Sequence, residues 1–114
     1  MTNGPSARLV LEATAPFEAI GADGRRYTLR RMNVLDRLRL FKAVGAALAG
    51  NDAYLGIAYL ACAVSAIDDV PVPVPVNEQQ VEAMVGRLGD TGIAAVADAF
   101  AALDAGNTET AAGN

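Results

Sequence analysis

Between Val70 and Val76 the sequence reads VPVPVPV, and its three alternate prolines forbid a helix over that whole stretch. A proline ring removes an amide donor, clashes with the preceding helical turn, and pushes the residue before it toward extended backbone. Pro71, Pro73 and Pro75 therefore hold a straight segment in the middle of a chain that is otherwise rich in alanine and prone to helix. The stretches before Asp69 and after Val76 must form separate elements joined by this rod.

The prolines share one parity, and Val70, Val72, Val74 and Val76 the other. In extended backbone, alternate residues offer their hydrogen-bonding groups to opposite edges, so the prolines disable one edge and leave the valine edge able to pair. Two paths fit: an edge strand with one blocked side, or a polyproline II run that needs no partner. The prolines stand two and four apart, so the PxxP spacing of signalling ligands is missing. The segment is read as a connector that sets how the helices are arranged.

Before the connector, residues 1 to 7 read as a loose arm. Arg8 to Thr14 and Phe17 to Ile20 have β character, interrupted at Pro16. Asp23-Gly24 suits a tight turn, and Arg26 to Arg30 alternates polar and apolar with Tyr27 and Leu29 on one face. Asn33 is a helix cap with Asp36 at the third helical position. Leu35, Leu38, Phe41 and Val44 recur at spacing three, broadened by Val34, Leu40 and Leu48, which predicts that this stripe packs while Arg37, Arg39 and Lys42 form a basic outer face. Gly50-Asn51 ends that helix and caps the next. Ala53 to Ile67 is apolar almost all round, as in a central helix. Its fifteen residues would span only about 22 Å, less than the roughly 30 Å of a bilayer's hydrocarbon core.

After the connector, Asn77 and Gln80 make a variant capping box, and Val76 and Val81 are placed as a hydrophobic staple. Val81, Met84, Val85 and Leu88 form the apolar stripe of helix three, Gly89 stops it, and Asp90 or Thr91 caps a fourth helix carrying Ile93, Val96, Phe100 and Leu103. The prediction is a mainly α protein with a small N-terminal β-hairpin (α+β), about four helices, and the extended Pro-Val connector between helices two and three. One domain covers residues 1–104, with the hairpin region at 8–31, the helical region at 33–104, and a disordered tail at 105–114. At 114 residues and 53% hydrophobic the chain has material for one core and no more.

The chain is poor in reactive side chains. It has no histidine and one cysteine, which removes the usual zinc sets, thiol pairs and histidine-based triads. Cys62 reads as a small hydrophobe, and Tyr54 and Tyr59 as residues of a polar rim. Asp68-Asp69 reads as two acids that end helix two and face water. No phosphate-binding glycine pattern occurs. No catalytic, cofactor or metal residues are assigned and no cofactor is expected. Binding is the remaining task, in which Arg37, Arg39 and Lys42 on helix one and Val81, Met84 and Val85 on helix three are the candidate partner-binding residues, suited to an apolar or acidic helix.

Several runs taken together resemble the tail assembly chaperones of long-tailed bacteriophages and prophages. They are Asp23-Gly24, YTLRRMNVLDRLRLFKA from Tyr27 to Ala43, LACAVSAID from Leu60 to Asp68, the Pro-Val connector, and LGDTGIAAVA from Leu88 to Ala97. The likeness covers Phe17 to Leu103. It implies a small helical protein without enzymatic activity, acting in the bacterial cytoplasm during tail morphogenesis, which coats the tape measure protein and recruits tail tube subunits around it. It also implies that a longer frameshifted form could be joined through the tail at Ala105 to Asn114. Charge suggests self-association: residues 1 to 42 carry eight basic and four acidic side chains, residues 43 to 114 one basic and nine acidic.

Two other readings compete. One is a nucleic-acid-associated regulator using Arg25, Arg26, Arg30, Arg31, Arg37, Arg39 and Lys42, against which stand the net charge of -4 and the few aromatics available for stacking. The other is a minor structural tail protein. No membrane association is expected.

Overall fold

The computed structural model describes residues 15–112, with side chains through residue 106. The strand expected at Arg8 to Thr14 and the arm before it lie outside the described residues. The hairpin is present as β1 (Phe17–Ile20) and β2 (Arg26–Leu29), antiparallel, with Ile20 opposite Arg26. Gly24 takes the positive φ that the turn requires, at 88°. Alternation places Ala19, Tyr27 and Leu29 on the inner face, and both Tyr27 and Leu29 are fully buried.

Helix α1 (Val34–Val44) begins on the expected capping box, in which Asn33 Oδ1 accepts from Asp36 N–H at 2.8 Å and Asp36 Oδ2 accepts from Asn33 N–H at 3.1 Å. It stops earlier than the sequence suggests. Gly45 at φ 83° breaks it, and a single short turn, α2 (Ala46–Ala49), intervenes before Asn51 caps α3 (Asp52–Ala63).

The larger departure is at the end of α3. The apolar run through Ile67 does not stay helical; Val64–Ile67 is strand β3, which pairs antiparallel with β2. β-branched Val64 and Ile67 gain from pairing on a half-buried pleated surface. Asp68 and Asp69, both at positive φ (50° and 68°), then form a two-residue turn into β4 (Val70–Pro71). Aspartate is among the few non-glycine residues that tolerate this backbone, and paired positive φ matches the twist of a two-residue hairpin. The pair is exposed as expected, but it follows a strand and does not end a helix. Asp68 is bonded twice to the Arg26 backbone, its carboxylate accepting from the Arg26 N–H at 2.9 Å and its own N–H donating to the Arg26 carbonyl at 2.7 Å, and Asp69 approaches the Arg26 guanidinium at 3.7 Å. The sheet thus has four strands in the order β1-β2-β3-β4.

Only the start of the Pro-Val segment enters as the blocked edge strand, and residues 72–76 continue without strand structure. Val70 stands opposite Ile67, Pro71 opposite Ala66, and Val72 N–H donates to Ser65 O at 3.0 Å, so the valine edge pairs and Pro71 faces away. Val76 is exposed and forms no staple with buried Val81; its N–H instead donates to Gln80 Oε1 at 3.0 Å, while Asn77 Oδ1 accepts from Gln80 N–H at 2.8 Å.

Helix α4 (Glu78–Ala112) comprises the third and fourth helices of the sequence reading, divided by the non-helical Gly89 (φ 66°, ψ -178°). Arg25 closes the break: its guanidinium donates to Leu88 O at 3.1 Å and to Arg87 O at 3.4 Å, carbonyls at a point where the helical ladder is interrupted. Helical backbone continues to Ala112, into the stretch where the sequence suggests a disordered tail; no proline stops it, and alanine at 111 and 112 favours continuation.

The core has two adjoining parts. Tyr27, Leu29, Val64, Ile67, Val72, Met84, Leu88 and Val96 fill the space between the sheet and α4. Leu40, Ala43, Val44, Ala58, Cys62 and Val81 join α1, α3 and the start of α4. Gly92 is where α4 meets the sheet, since a Cβ there would lie 2.8 Å from Tyr27 Oη and 3.0 Å from Leu88 Cβ. Gly92→Ala is expected to cost about 1–3 kcal/mol of stability by overpacking. In a Tyr27→Phe background the cost should fall, because the closest clashing atom is gone. Chemical denaturation of the four proteins of that cycle measures the coupling.

Candidate partner-binding site

Helix α1 presents its residues in an order that the sequence pattern only half anticipates. Successive side chains are offset by about 100°, which gives the eleven residues of α1 two apolar faces. The face that packs is Leu40, Ala43 and Val44, set against Ala58, Cys62 and Val81. Of the stripe expected to pack, Leu40 and Val44 are buried and Leu48 is half-buried, whereas Leu35, Leu38 and Phe41 are 49%, 62% and 45% exposed and Val34 at its N-terminal end is 72% exposed. Three aliphatic side chains and a phenyl ring therefore lie together on the outside of one helix. Arg37 borders the stripe on one side, Lys42 and then Arg39 on the other, all exposed.

The remaining predicted site residues separate. Val81 and Met84 are buried in the two parts of the core, which takes them out of a partner surface. Val85 is half-buried and lines a shallow groove of about 190 Å³ with Tyr54, Ile57 and Glu82. There the Tyr54 hydroxyl donates to Glu82 Oε2 at 3.0 Å. Burial, the bond to Glu82 and the charges of Glu82 and Glu78 push the Tyr54 phenol up to about 12. Tyr59, expected at a polar rim, is half-buried and packs edge-on against Phe100 with ring centroids 5.4 Å apart.

The basic residues between positions 25 and 31 are tied into the fold. Arg25 holds the α4 break and stacks over Tyr27, Arg26 contacts Asp69, Arg30 donates to Cys62 O, and Arg31 donates to Ala15 O at 2.9 Å while lying over the Phe17 ring. Only Arg37, Arg39 and Lys42 of the seven make no side-chain hydrogen bond or ion pair among the described residues. The basic stretch that suggested nucleic acid is thus largely structural, and the cations left over flank the apolar face of α1. No group of three potential metal-ligating side chains occurs among the described residues, and none of their helices is long and apolar enough to cross a membrane.

Sequence reasoning missed a cleft between α1 and the end of the Pro-Val segment, lined by Arg30, Arg39, Lys42, Leu40, Val74 and Pro75 among others. It depends on how far the chain at 73–76 diverges from β3, which spacing does not encode. Cys62 lies at its floor, and burial raises the thiol from its ordinary 9.0 to about 11. Comparison with protein-family models, curated proteins and solved structures finds no match.

The shifted thiol has a sign that can be checked. Below about pH 9 it is protonated in folded and unfolded chains alike; between 9 and 11 the unfolded chain gives up a proton that the folded chain keeps, so folding stability falls as pH rises. The expected loss is roughly 2–3 kcal/mol across that window. Denaturation of the Cys62→Ala variant over the same range should show a flatter profile, leaving only what the tyrosines contribute.

Proposed function

We propose that this chain is a non-enzymatic assembly chaperone that covers an apolar helix of another protein, and that in a phage or prophage setting the covered partner is the tape measure protein. The observation that carries the reading is the exposed stripe Val34, Leu35, Leu38 and Phe41 on α1, edged by three cations that form no ion pair among the described residues. An amphipathic helix seated along it would bury both apolar faces, and acidic residues at its flanks would meet Arg37, Arg39 and Lys42. The resemblance of Phe17 to Leu103 to tail assembly chaperones supplies the partner's identity and the recruitment of tail tube subunits; the helical α+β fold agrees with it. The engagement of Arg25, Arg26, Arg30 and Arg31 within the fold weighs against a nucleic-acid regulator.

Co-expression with the tape measure protein of a phage or prophage that carries this chain should raise the soluble fraction of the tape measure and yield a complex that co-purifies. The double variant Leu38→Asp, Phe41→Asp should lose that activity. Leu38 is 62% and Phe41 45% exposed, so the folding stability should fall by no more than about 2 kcal/mol and the variant should stay folded. A soluble tape measure without this chain, or a double variant that still co-purifies, would rule the reading out.

A further inference from the structure

The cleft beside α1 has a volume of about 370 Å³, at the lower end of the range for ligand sites, about 300–1,000 Å³. Its origin is the fold itself. β3 and β4 are joined at Asp68-Asp69, and the ladder's last bond runs from Val72 N–H to Ser65 O at 3.0 Å. Beyond that bond one side of the ladder becomes the end of α3, the other continues as residues 73–76, and α1 forms the third wall.

The chemistry of the walls is uneven. Leu40, Ala43, Val74 and Pro75 make them apolar, while Arg30, Arg39 and Lys42 bring three cations to the same space. Arg30 is held at the floor by its bond to Cys62 O. Arg39 and Lys42 make no ion pair among the described residues. Asp36, the one carboxylate in the lining, is committed to the α1 cap through Asn33 N–H at 3.1 Å. Val74 N–H has no acceptor among the described residues.

We propose that this cleft captures the C-terminal carboxylate of an extended peptide whose last residue is apolar. The cations attract a carboxylate and bond to it more strongly than to a neutral group. The apolar walls take the terminal side chain. On the valine edge the Val72 N–H is taken by Ser65 O and the Val76 N–H by Gln80 Oε1, so Val74 offers the one backbone donor left there and a peptide is held by its end instead of along a ladder. The cleft shares Arg39 and Lys42 with the border of the outer face of α1 but none of that face's apolar residues.

Fluorescence anisotropy at low salt tests this with a four-residue peptide, alanine-alanine-valine-leucine, labelled at its N-terminus. The free acid should bind and its C-terminal amide should bind at least about tenfold more weakly, as expected for loss of one charge-assisted contact. The double variant Arg39→Gln, Lys42→Gln and, separately, Val74→Asp should each weaken the free acid by a similar factor without lowering the melting temperature, since all three side chains are exposed. Leu38→Asn, which removes an apolar side chain of the outer face without adding a charge beside Arg39 and Lys42, should leave peptide binding unchanged. Equal binding of acid and amide, no binding at millimolar peptide, or binding of decanoate but not of the peptide would overturn the proposal. Loss of peptide binding in Leu38→Asn would also overturn it, by moving the site to the outer face of α1.

Discussion

Strand β2 is the piece on which the arrangement depends. Its inward residues Tyr27 and Leu29 are fully buried, with β1 on one side, β3 on the other and α4 across the face. Each neighbour is fixed by a contact to β2 or to the loop before it. The Asp68 turn clasps Arg26 and sets the position of β3, and Arg25 reaches out to the carbonyls at the Gly89 break and so holds the two halves of α4 against the sheet. The approach is close enough that position 92 admits no side chain beyond hydrogen without a shift of its neighbours. A sheet of four-residue and two-residue strands would be weak alone; here it serves as a platform whose inner face is completed by a helix.

What was legible in the sequence is mostly what is decided locally. The alternation at Arg26 to Leu29 and the caps at Asn33, Asn51 and Asn77 involve residues within four positions of one another, and the structure agrees with them. Parity along VPVPVPV correctly marked the pairing edge, because which side lacks donors is covalent. The illegible parts are decided at a distance. Val64–Ile67 continues a helical pattern and becomes strand because β2, some 37 residues earlier, offers it a ladder. Asp68 and Asp69 read as solvated acids because their worth lies in a backbone shape and in contacts to Arg26.

Helix α1 shows the same limit from the functional side. Periodicity reveals that Leu35, Leu38 and Phe41 share a face; it carries no information on whether another element covers that face. In this fold only one edge of the expected stripe, Leu40 and Val44 together with Ala43, meets α3 and α4, and Val34, Leu35, Leu38 and Phe41 are left outside. The partner-binding residues expected on helix three were misplaced for the complementary reason: Val81 and Met84 have the pattern of a groove but are needed to fill the interior.

Charge obeys the same division and bears on how a partner arrives. The net charge is -4, yet the cations of residues 25 to 31 are occupied in holding the sheet and α4 together. The exposed acids Asp52, Glu78 and Glu82 lie on α3 and α4, while Arg37, Arg39 and Lys42 are concentrated on α1. Arg37, Arg39 and Lys42 therefore place positive potential beside the exposed apolar stripe of α1, and both that stripe and the adjoining cleft lie within it. An approaching acidic segment would be drawn to α1 by a field that salt screens over about 8–10 Å. Once in contact, it would find burial of apolar surface, which salt does not weaken, so attraction and adhesion on this helix come from different forces acting at different ranges.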